Sequence, residues 1–372
     1  MILSYESADP PREVWDYFFG GAGTEVTMKK NRSDWDAVVL LPRVLRDVAK
    51  VDLSVSLLGA RVPVPVVVAP MAFLSLLFPQ GELVLARAAA RHQLSFCLST
   101  RSGVPLEEVA RAWHQSCDEA TSPTGPRPQL MLQLYVMRDM GITESLLSRA
   151  IAAGFDAVVV TVDVPYIGVR RRDRANQLVI PDEFLQANVK EELAQQSDDP
   201  LVSFGGGVSS AKYSRLAQNP SMTWETVSKL RDASASLPMV LKGVLDPADM
   251  ALCGGMNIDG VVVSNHGGRQ LDGVISTPRA LHAMREVERL PKSLLVDGSI
   301  ESGSDVLRAL GLGAGAVMIG RYFARALAVS GESGLEEAMS LLVEEIRVGM
   351  ALMGLDRLSD MGSQQIRVPG WF

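Results

Sequence analysis

A cluster of polar and glycine residues directly follows an apolar run near residue 265. Residues 261–263 are all valine, and His266, two glycines and Arg269 come next. Histidine titrates near neutral pH and can accept a proton, and arginine can bind a carboxylate through two parallel hydrogen bonds. A lone histidine would usually be structural, but this combination at the end of a strand-like run favours catalysis. We therefore predict that His266 is a base and that Arg269 binds a carboxylate.

Strand-like segments recur along the whole chain. Seven short runs are rich in Val, Ile, Leu or Met and are bounded by polar, glycine or proline residues, which is typical of buried parallel strands. An eighth run, at 94–99, has fewer β-branched residues. The eight predicted strands are 64–70, 94–99, 129–135, 157–163, 239–243, 260–264, 293–297 and 316–320.

Helix-like segments alternate with these strands, for example at 81–91, 106–113, 143–153, 223–233 and 303–311. Because no change of composition divides the chain, the eight strand–helix units predict one α/β domain, 1–372, folded as a closed (β/α)8 TIM barrel. Residues 1–60 would form an N-terminal helical extension. A doubly wound open sheet is the alternative, because it also alternates strands with helices. In a barrel, the C-terminal ends of the strands build the active site, and His266 would lie there.

A polar segment, residues 181–222, interrupts the alternation between the fourth and fifth strands. It is rich in Gln, Ser, Asp and Gly. It follows a strand on the face where barrel loops form active sites. Long loops of this kind are usually lids, partner surfaces or disordered segments. We predict a mobile lid loop.

The charge and the cysteines exclude several classes of protein. The formal net charge is -7, which disfavours nucleic-acid binding because such proteins normally have a basic surface. Cys97, Cys117 and Cys253 are far apart and show neither a disulfide framework nor metal-ligand spacing, which fits a reducing cytoplasm. No signal-peptide pattern opens the chain, and the apolar runs are too short to span a bilayer. We therefore expect a cytoplasmic protein without a metal or a membrane partner.

Ordered motifs from Trp15 to about Gly354 resemble one known family. The strongest motif is 261–273, around His266. The others are 41–48, 68–72, 133–135, 161–165, 241–244, 297–298 and 319–321. Together they resemble the FMN-dependent 2-hydroxy acid oxidases and dehydrogenases, which include glycolate oxidase, lactate oxidase and mandelate dehydrogenase. The resemblance implies an FMN-dependent barrel that oxidises an L-2-hydroxy acid to the 2-oxo acid.

The resemblance also assigns roles to individual side chains. His266 would accept a proton as the substrate is oxidised. Asp163 would hydrogen-bond to His266 and stabilise the imidazolium that forms. Two guanidinium groups and two phenol hydroxyls would hold the substrate, namely those of Arg170, Arg269, Tyr17 and Tyr135.

The flavin would lie among residues at the strand ends. Lys242 would be near the N1–C2=O edge of the ring, where positive charge stabilises the reduced, anionic flavin. The ring and the ribityl chain would contact Pro70, Met71, Ala72, Ser99, Gln133, Thr161 and Ser264. Barrels commonly bind phosphate with the loops after the last two strands. In this chain, the ribityl and phosphate end would contact Asp297, Gly298, Ser299, Gly320 and Arg321.

Three departures from the family pattern bear on cofactor and substrate. Glu301 replaces an arginine that usually meets the FMN phosphate. We hypothesise that FMN is held less tightly as a result, mainly by Arg321 and backbone amides. Arg101 replaces a bulky aromatic residue, and it would either point to solvent or bind a second anionic or polar group of a larger substrate. Met71 and Phe78 predict a more apolar wall.

The electron acceptor and the outcome of the reaction have alternatives. Ala72 is similar to the oxidase members, whereas mandelate dehydrogenase has glycine there, so oxygen is the preferred acceptor and hydrogen peroxide the product. A different acceptor, oxidative decarboxylation (a monooxygenase outcome), a biosynthetic tailoring step and a non-catalytic flavin-binding protein are the alternatives. Retention of the full set of catalytic side chains argues against the last. Family members are commonly homotetramers, so a homo-oligomer is expected.

Overall fold

Eight parallel strands close into one barrel, in which each strand pairs with the next and the last pairs with the first. The computed structural model describes residues 10–120, 125–189, 218–234 and 237–372. The barrel strands are β1 (Val66–Val68), β2 (Ser95–Ser99), β3 (Leu130–Tyr135), β4 (Ala157–Thr161), β5 (Met239–Val244), β6 (Gly260–Val263), β7 (Ser293–Val296) and β8 (Ala316–Ile319). Closure is direct, because Val317 lies opposite Val66 and Ile319 lies opposite Val68. The predicted (β/α)8 barrel is confirmed, and the open-sheet alternative is wrong.

The apolar runs are continuous because each barrel strand is buried on both faces. Successive side chains of a strand point to opposite sides. In β4, Val159 packs inside the barrel, whereas Val158 and Val160 pack in the layer between the strands and the helices. Both layers need apolar residues, so the strands lack the alternation of a half-exposed sheet.

Helices surround the barrel and include all five that the sequence predicts. Two differ in length: one runs on to Ala120, and another begins at Met140, where the Asp139 side chain accepts a hydrogen bond from Gly141 N at 2.9 Å. The final helix contains non-helical backbone at Gly331. The helices that follow β1 are Leu74–Leu77, Gly81–Arg91, Leu106–Ala120, Met140–Ala152, Arg171–Asn176, Asp182–Gln186, Trp224–Ala233, Pro247–Gly255, Thr277–Ala283, Gly303–Gly311 and Arg321–Leu352.

The N-terminal extension is helical only in its first part, which corrects the prediction for residues 1–60. Helices Arg12–Phe19 and Val26–Ala37 precede a short strand, Val39–Leu40, that pairs with Ile366–Arg367. A hairpin of Val55–Leu57 and Ala60–Val62 follows. Its residues Leu57 and Val62 are fully buried and belong to the core inside the barrel. The hairpin covers the N-terminal end of the barrel, where Leu58 N donates to Ser293 Oγ at 2.9 Å at the start of β7.

Most of the predicted lid, 181–222, lies outside the described residues. At its start, Asn188 Oδ1 accepts a hydrogen bond from Leu106 N at 2.7 Å. At its end, Asn219 N donates to Val136 O at 2.8 Å. Both described ends therefore lie beside the loops that follow β2 and β3. In the ranges that the structure describes, no helix has the length and apolar character needed to cross a membrane.

Candidate active site

The loop after β6 turns sharply and directs His266 towards Asp163. The backbone φ is 58° at His266, 64° at Gly267 and 77° at Gly268, all in the left-handed region. His266 is the one non-glycine residue of the three, and its N–H donates to Ser264 Oγ at 3.0 Å. Its Nδ1 lies 3.1 and 3.2 Å from the two carboxylate oxygens of Asp163. The structure therefore forms the His266–Asp163 pair that the resemblance implied.

Charge and burial set the protonation states of this pair. Burial lowers the pKa of His266 below its usual value, although the Asp163 charge acts in the opposite direction. Burial acts to raise the pKa of Asp163, but the charge that His266 carries when protonated, its hydrogen bond and the charge of Lys242 outweigh burial and lower that pKa. At neutral pH the imidazole is consequently neutral and the carboxylate is ionised. Since a carboxylate only accepts hydrogen bonds, the ring proton is on Nδ1 and Nε2 is available as an acceptor.

Two guanidinium groups converge on the ring of Tyr17. The Cζ atoms of Arg269 and Arg170 lie 5.4 and 5.7 Å from its centroid. Arg269 Nη1 donates to Gly20 O at 2.8 Å, and Arg170 Nη1 lies 3.4 Å from Asp173 Oδ2. Within the described residues, Arg170 Nε is buried without a hydrogen-bond partner.

The convergence of these cations favours an anionic ligand. Burial, followed by the nearby Arg170 charge, lowers the pKa of Arg269 to about 9. Arg269 is still protonated at neutral pH, so two buried positive charges lie close together. A carboxylate would compensate both charges and accept bidentate hydrogen bonds.

A single pocket at the C-terminal ends of the strands brings most of the predicted site residues together. Asp163 and Ser264 lie behind the pocket, where Asp163 is hydrogen-bonded to the lining residue His266 and Ser264 to the lining residue Asp297. Burial, followed by the Asp163 charge, raises the pKa of Tyr135 to about 12. The predicted residues that line the pocket are Tyr17, Pro70, Met71, Ala72, Ser99, Gln133, Tyr135, Thr161, Arg170, Lys242, His266, Arg269, Asp297, Gly298, Ser299, Gly320 and Arg321.

Arg101 is buried, so the alternative that it points to solvent is wrong. Only 6% of the residue is exposed. Its N–H donates to Ser99 Oγ at 3.1 Å, and its carbonyl accepts from Phe73 N at 2.8 Å. Burial lowers the pKa of Arg101 to about 10, while the phenols of Tyr135 and Tyr17 act to raise it. Arg101 therefore lies beside the pocket wall and not among the lining residues.

Lys242 is held at the base of the pocket by a hydroxyl and a carboxylate. Its Nζ lies 2.9 Å from both Ser264 Oγ and Asp297 Oδ2. Ser264 Oγ in turn donates to Asp297 Oδ2 at 2.8 Å. Burial acts to lower the pKa of Lys242, but the charges of Asp297 and Asp163 outweigh it and raise that pKa. Lys242 therefore presents a fixed positive charge to the pocket.

The ends of β2, β3 and β4 carry a row of hydrogen-bonded polar side chains. Ser99 Oγ donates to Gln133 Oε1 at 3.1 Å, and Gln133 Nε2 donates to Thr161 Oγ1 at 3.0 Å. The row extends across three adjacent strands and faces the same pocket as Lys242. It suits the polar edge of a flat heterocycle such as a flavin.

The loops after β7 and β8 form the third part of the pocket. The backbone φ is 95° at Gly298 and 57° at Ser299. The helix that begins at Arg321 directs its first N–H groups, which lack partners within the helix, towards this end. Arg321 Nη2 donates to Gly267 O at 2.8 Å. Glu301 is exposed, lines the pocket and acts to raise the pKa of Arg321, although burial has the larger effect and lowers it.

FMN fits this arrangement. Asp297 Oδ1 is buried and has no hydrogen-bond partner among the described residues, so a ribityl hydroxyl could donate to it. Lys242 can approach the ring, and Arg321 with the adjacent helix N-terminus can approach the phosphate. Glu301 also lines this part of the pocket, and its negative charge opposes a phosphate.

Sequence reasoning did not find the N-terminal residues that support the site. Trp35 Nε1 donates to Gly298 O at 2.8 Å, and Arg32 Nη1 donates to Ser299 O at 2.7 Å. Asp272, within the strongest motif, accepts hydrogen bonds from the backbone N–H groups of Thr24 and Thr27. These partners lie about 250 positions apart, and no local pattern pairs them. The one local sign of such a contact was Asp272 itself, an acidic residue three positions after Arg269 in the same motif.

Comparisons with known proteins agree with this site. A family model described as FMN-dependent dehydrogenase matches residues 7–368. L-lactate oxidase of Nostoc sp. is 40% identical, with 94% of this chain and 92% of that protein covered. L-lactate dehydrogenase of Caulobacter vibrioides is also 40% identical, with 93% and 91% covered. A structure of mandelate oxidase with (S)-4-hydroxymandelic acid has a TM-score of 0.82 and 36% identity, with 96% and 94% covered.

A parallel barrel with a cationic pocket at its strand ends is the arrangement of a barrel enzyme that binds anionic ligands, and the family model makes it an FMN-dependent oxidoreductase. Within that class, this chain belongs to the FMN-dependent 2-hydroxy acid oxidase and dehydrogenase family. The predicted family is confirmed, and so is FMN as the cofactor.

Proposed function

We propose that the protein oxidises an L-2-hydroxy acid to the 2-oxo acid, with His266 as the base and two arginines binding the carboxylate. One observation carries the proposal. His266, neutral and hydrogen-bonded to an ionised Asp163, opens onto the pocket where Arg170 and Arg269 converge. A base and an anion site on the same pocket are the two elements that this oxidation requires.

The substrate carboxylate would dock on Arg269 and on the unpartnered Nε of Arg170. This docking fixes the carbon that bears the hydroxyl, and the phenol hydroxyls of Tyr17 and Tyr135 orient the rest of the molecule. FMN, when bound, accepts the two electrons and one of the two hydrogens that the substrate loses. His266 Nε2 accepts a proton from the substrate during the same oxidation. The Asp163 carboxylate then stabilises the imidazolium, as a buried ion pair does.

The proposed electron acceptor is oxygen, which would give hydrogen peroxide. Ala72 lines the pocket and is the residue that supports this choice. The test is to incubate the FMN-loaded protein with 2-hydroxy acids in air and to measure peroxide, the 2-oxo acid and the decarboxylated acid. Equal amounts of peroxide and 2-oxo acid are expected. Because free peroxide itself decarboxylates 2-oxo acids, a parallel sample contains catalase, and the decarboxylated acid as the main product in that sample would contradict the proposed reaction. The absence of peroxide with a dye still reduced would identify a dehydrogenase.

Arg101 is proposed to attract a second anionic or polar group of the substrate through its charge, from a position beside the lining residues Tyr17 and Tyr135 and outside the pocket lining itself. Its burial beside Tyr17 and Tyr135 supports this role. The test compares 2-hydroxysuccinate with 2-hydroxy-4-methylpentanoate, which has a similar shape but lacks the second charge. Arg101→Met should lower kcat/KM for the first acid and leave that for the second unchanged. An unchanged ratio of the two would remove Arg101 from the substrate site.

We also propose a homo-oligomer in the cytoplasm. The described residues Cys97, Cys117 and Cys253 are free and buried, which supports a reducing compartment. The proposal of an oligomer rests on family membership alone, and light scattering on the FMN-loaded protein tests it. A monomer at micromolar concentration would contradict it.

A further inference from the structure

The amide side chain of Gln270 connects the two loops that carry the proposed catalytic residues. Its Nε2 donates to Asp163 O and to Tyr166 O, both at 2.9 Å. Its Oε1 accepts from Gly168 N at 3.0 Å. All three partners are backbone groups of the loop between β4 and the helix Arg171–Asn176. One side chain from the β6 loop therefore fixes three points of the β4 loop.

The β4 loop has few buried apolar side chains, and near its end Gly23 N donates a hydrogen bond to Val169 O at 2.9 Å. Val164 is buried, but Tyr166 is 71% exposed and Val169 is 50% exposed. The two loops also touch directly, because a Cβ on Gly168 would come within 2.4 Å of Arg269 O. A loop with few buried apolar contacts depends on its hydrogen bonds for its position.

We propose that Gln270 is a positioning residue that holds Asp163 and Arg170 in place relative to His266 and Arg269. The inference rests on the proposed roles of His266 and Asp163. Gln270 hydrogen-bonds to the backbone of Asp163, so its loss moves the carboxylate away from the imidazole. The loss of Gln270 also loosens the loop that leads to Arg170, so Arg170 and Arg269 no longer keep the separation that one carboxylate needs.

Displacement of Asp163 has a measurable electrostatic consequence. Burial lowers the pKa of His266, Asp163 acts to raise it, and Lys242 and Arg170 act to lower it. These groups come from β5 and from the loops that flank the imidazole. Removing the one group that acts to raise the pKa therefore shifts the acid limb of activity to lower pH. A role limited to stability would not move that limb.

The test is a double-mutant cycle with Gln270→Met, which keeps the length of the side chain but loses the amide. In the wild-type background, kcat should fall about 10- to 100-fold, because the hydrogen bonds that fix Asp163 are lost. KM should rise, and the acid limb should move to lower pH. In the Asp163→Asn background, the same change should lower kcat less than about threefold, because residues that act through one another are not additive.

A matched control is Gln365→Met. Gln365 is buried, and its Oε1 accepts from Gly362 N at 2.9 Å on the C-terminal segment. This variant should lower the midpoint of thermal unfolding but leave kcat and the acid limb unchanged. If Gln270→Met fails to fold, Gln270→Asn keeps the amide with a shorter reach and should show the same effects at smaller size.

Two results would overturn the inference. One is an equal fall of kcat in the wild-type and Asp163→Asn backgrounds, and the other is an acid limb that does not move in any Gln270 variant. Either result leaves the proposed function standing. That function fails separately, if His266→Asn retains turnover.

Discussion

Replacement of Asp163 by asparagine tests the His266–Asp163 pair with a change of one charge and almost no change of shape. His266 Nδ1 lies 3.1 and 3.2 Å from the two carboxylate oxygens. Unit charges about 4 Å apart attract by about 4 kcal/mol at an effective dielectric constant of 20. The imidazolium formed in the reaction loses this attraction in the variant, and asparagine returns part of it as a neutral hydrogen bond.

The expected loss follows from that difference. About 3 to 4 kcal/mol of lost stabilisation lowers the rate of flavin reduction by about 10²- to 10³-fold, since each 1.4 kcal/mol is tenfold. The acid limb of the pH profile should also move down, because the Asp163 charge acts to raise the pKa of His266. The assay is anaerobic stopped-flow reduction of bound FMN at saturating substrate.

Asp52, a carboxylate far from the pocket, offers a control for the change at Asp163. Asp52→Asn removes a carboxylate whose partner, Arg61, lies 2.7 Å away on the hairpin segment at the other end of the barrel. It should leave the reduction rate unchanged. A fall of less than about tenfold in Asp163→Asn, with an unmoved acid limb, would refute the role of the carboxylate.

Three further predictions follow from the geometry of the pocket. Glu301→Arg should lower the Kd for FMN about tenfold, as measured by flavin fluorescence, and should raise the midpoint of thermal unfolding of the FMN-loaded protein, with Glu301→Gln intermediate. Unchanged retention of FMN would contradict the hypothesis that Glu301 weakens FMN binding. Arg269→Met should raise the KM for a 2-hydroxy acid by about 10- to 100-fold, because a charged bidentate contact is lost, and the KM of Arg269→Lys should lie between the two. Steady-state kinetics measure these values, and an unchanged KM would exclude Arg269 from the carboxylate site. In the wild type, kcat/KM should fall as pH falls through the pKa of His266, because only the neutral imidazole accepts a proton. Burial places that pKa below its usual value of about 6.5. A decline of kcat/KM that begins with an apparent pKa above this value would contradict a neutral His266 base.

The barrel could be predicted from sequence because its physical signal is local. A strand buried on both faces needs an unbroken apolar run, and β4, with Val158–Val160 between the interior core and the helices, shows why. The His266 loop could be predicted for a similar reason, because its glycines permit the left-handed turn that the structure contains. The pairing of His266 with Asp163 followed from the resemblance and from the shared barrel face.

The contacts that sequence could not predict join parts of the chain that are far apart. Arg269 is held by the carbonyl of Gly20, and Trp35 supports Gly298. The burial of the hairpin at the other end of the barrel also depends on distant parts of the chain, because Leu57 packs against strands distributed over the whole chain. Arg101 illustrates the limit most clearly. Its burial is decided by neighbours that no local pattern around it reveals.

The most direct test of the account is anaerobic mixing of the FMN-loaded protein with a panel of 2-hydroxy acids while the flavin absorbance is recorded. At least one acid should bleach the flavin in the wild type. The same acid should bleach it far more slowly in His266→Asn, by about 10²- to 10⁴-fold. Absence of bleaching with every acid, or equal rates in the two proteins, would contradict the claim that His266 is the base of a 2-hydroxy acid oxidation.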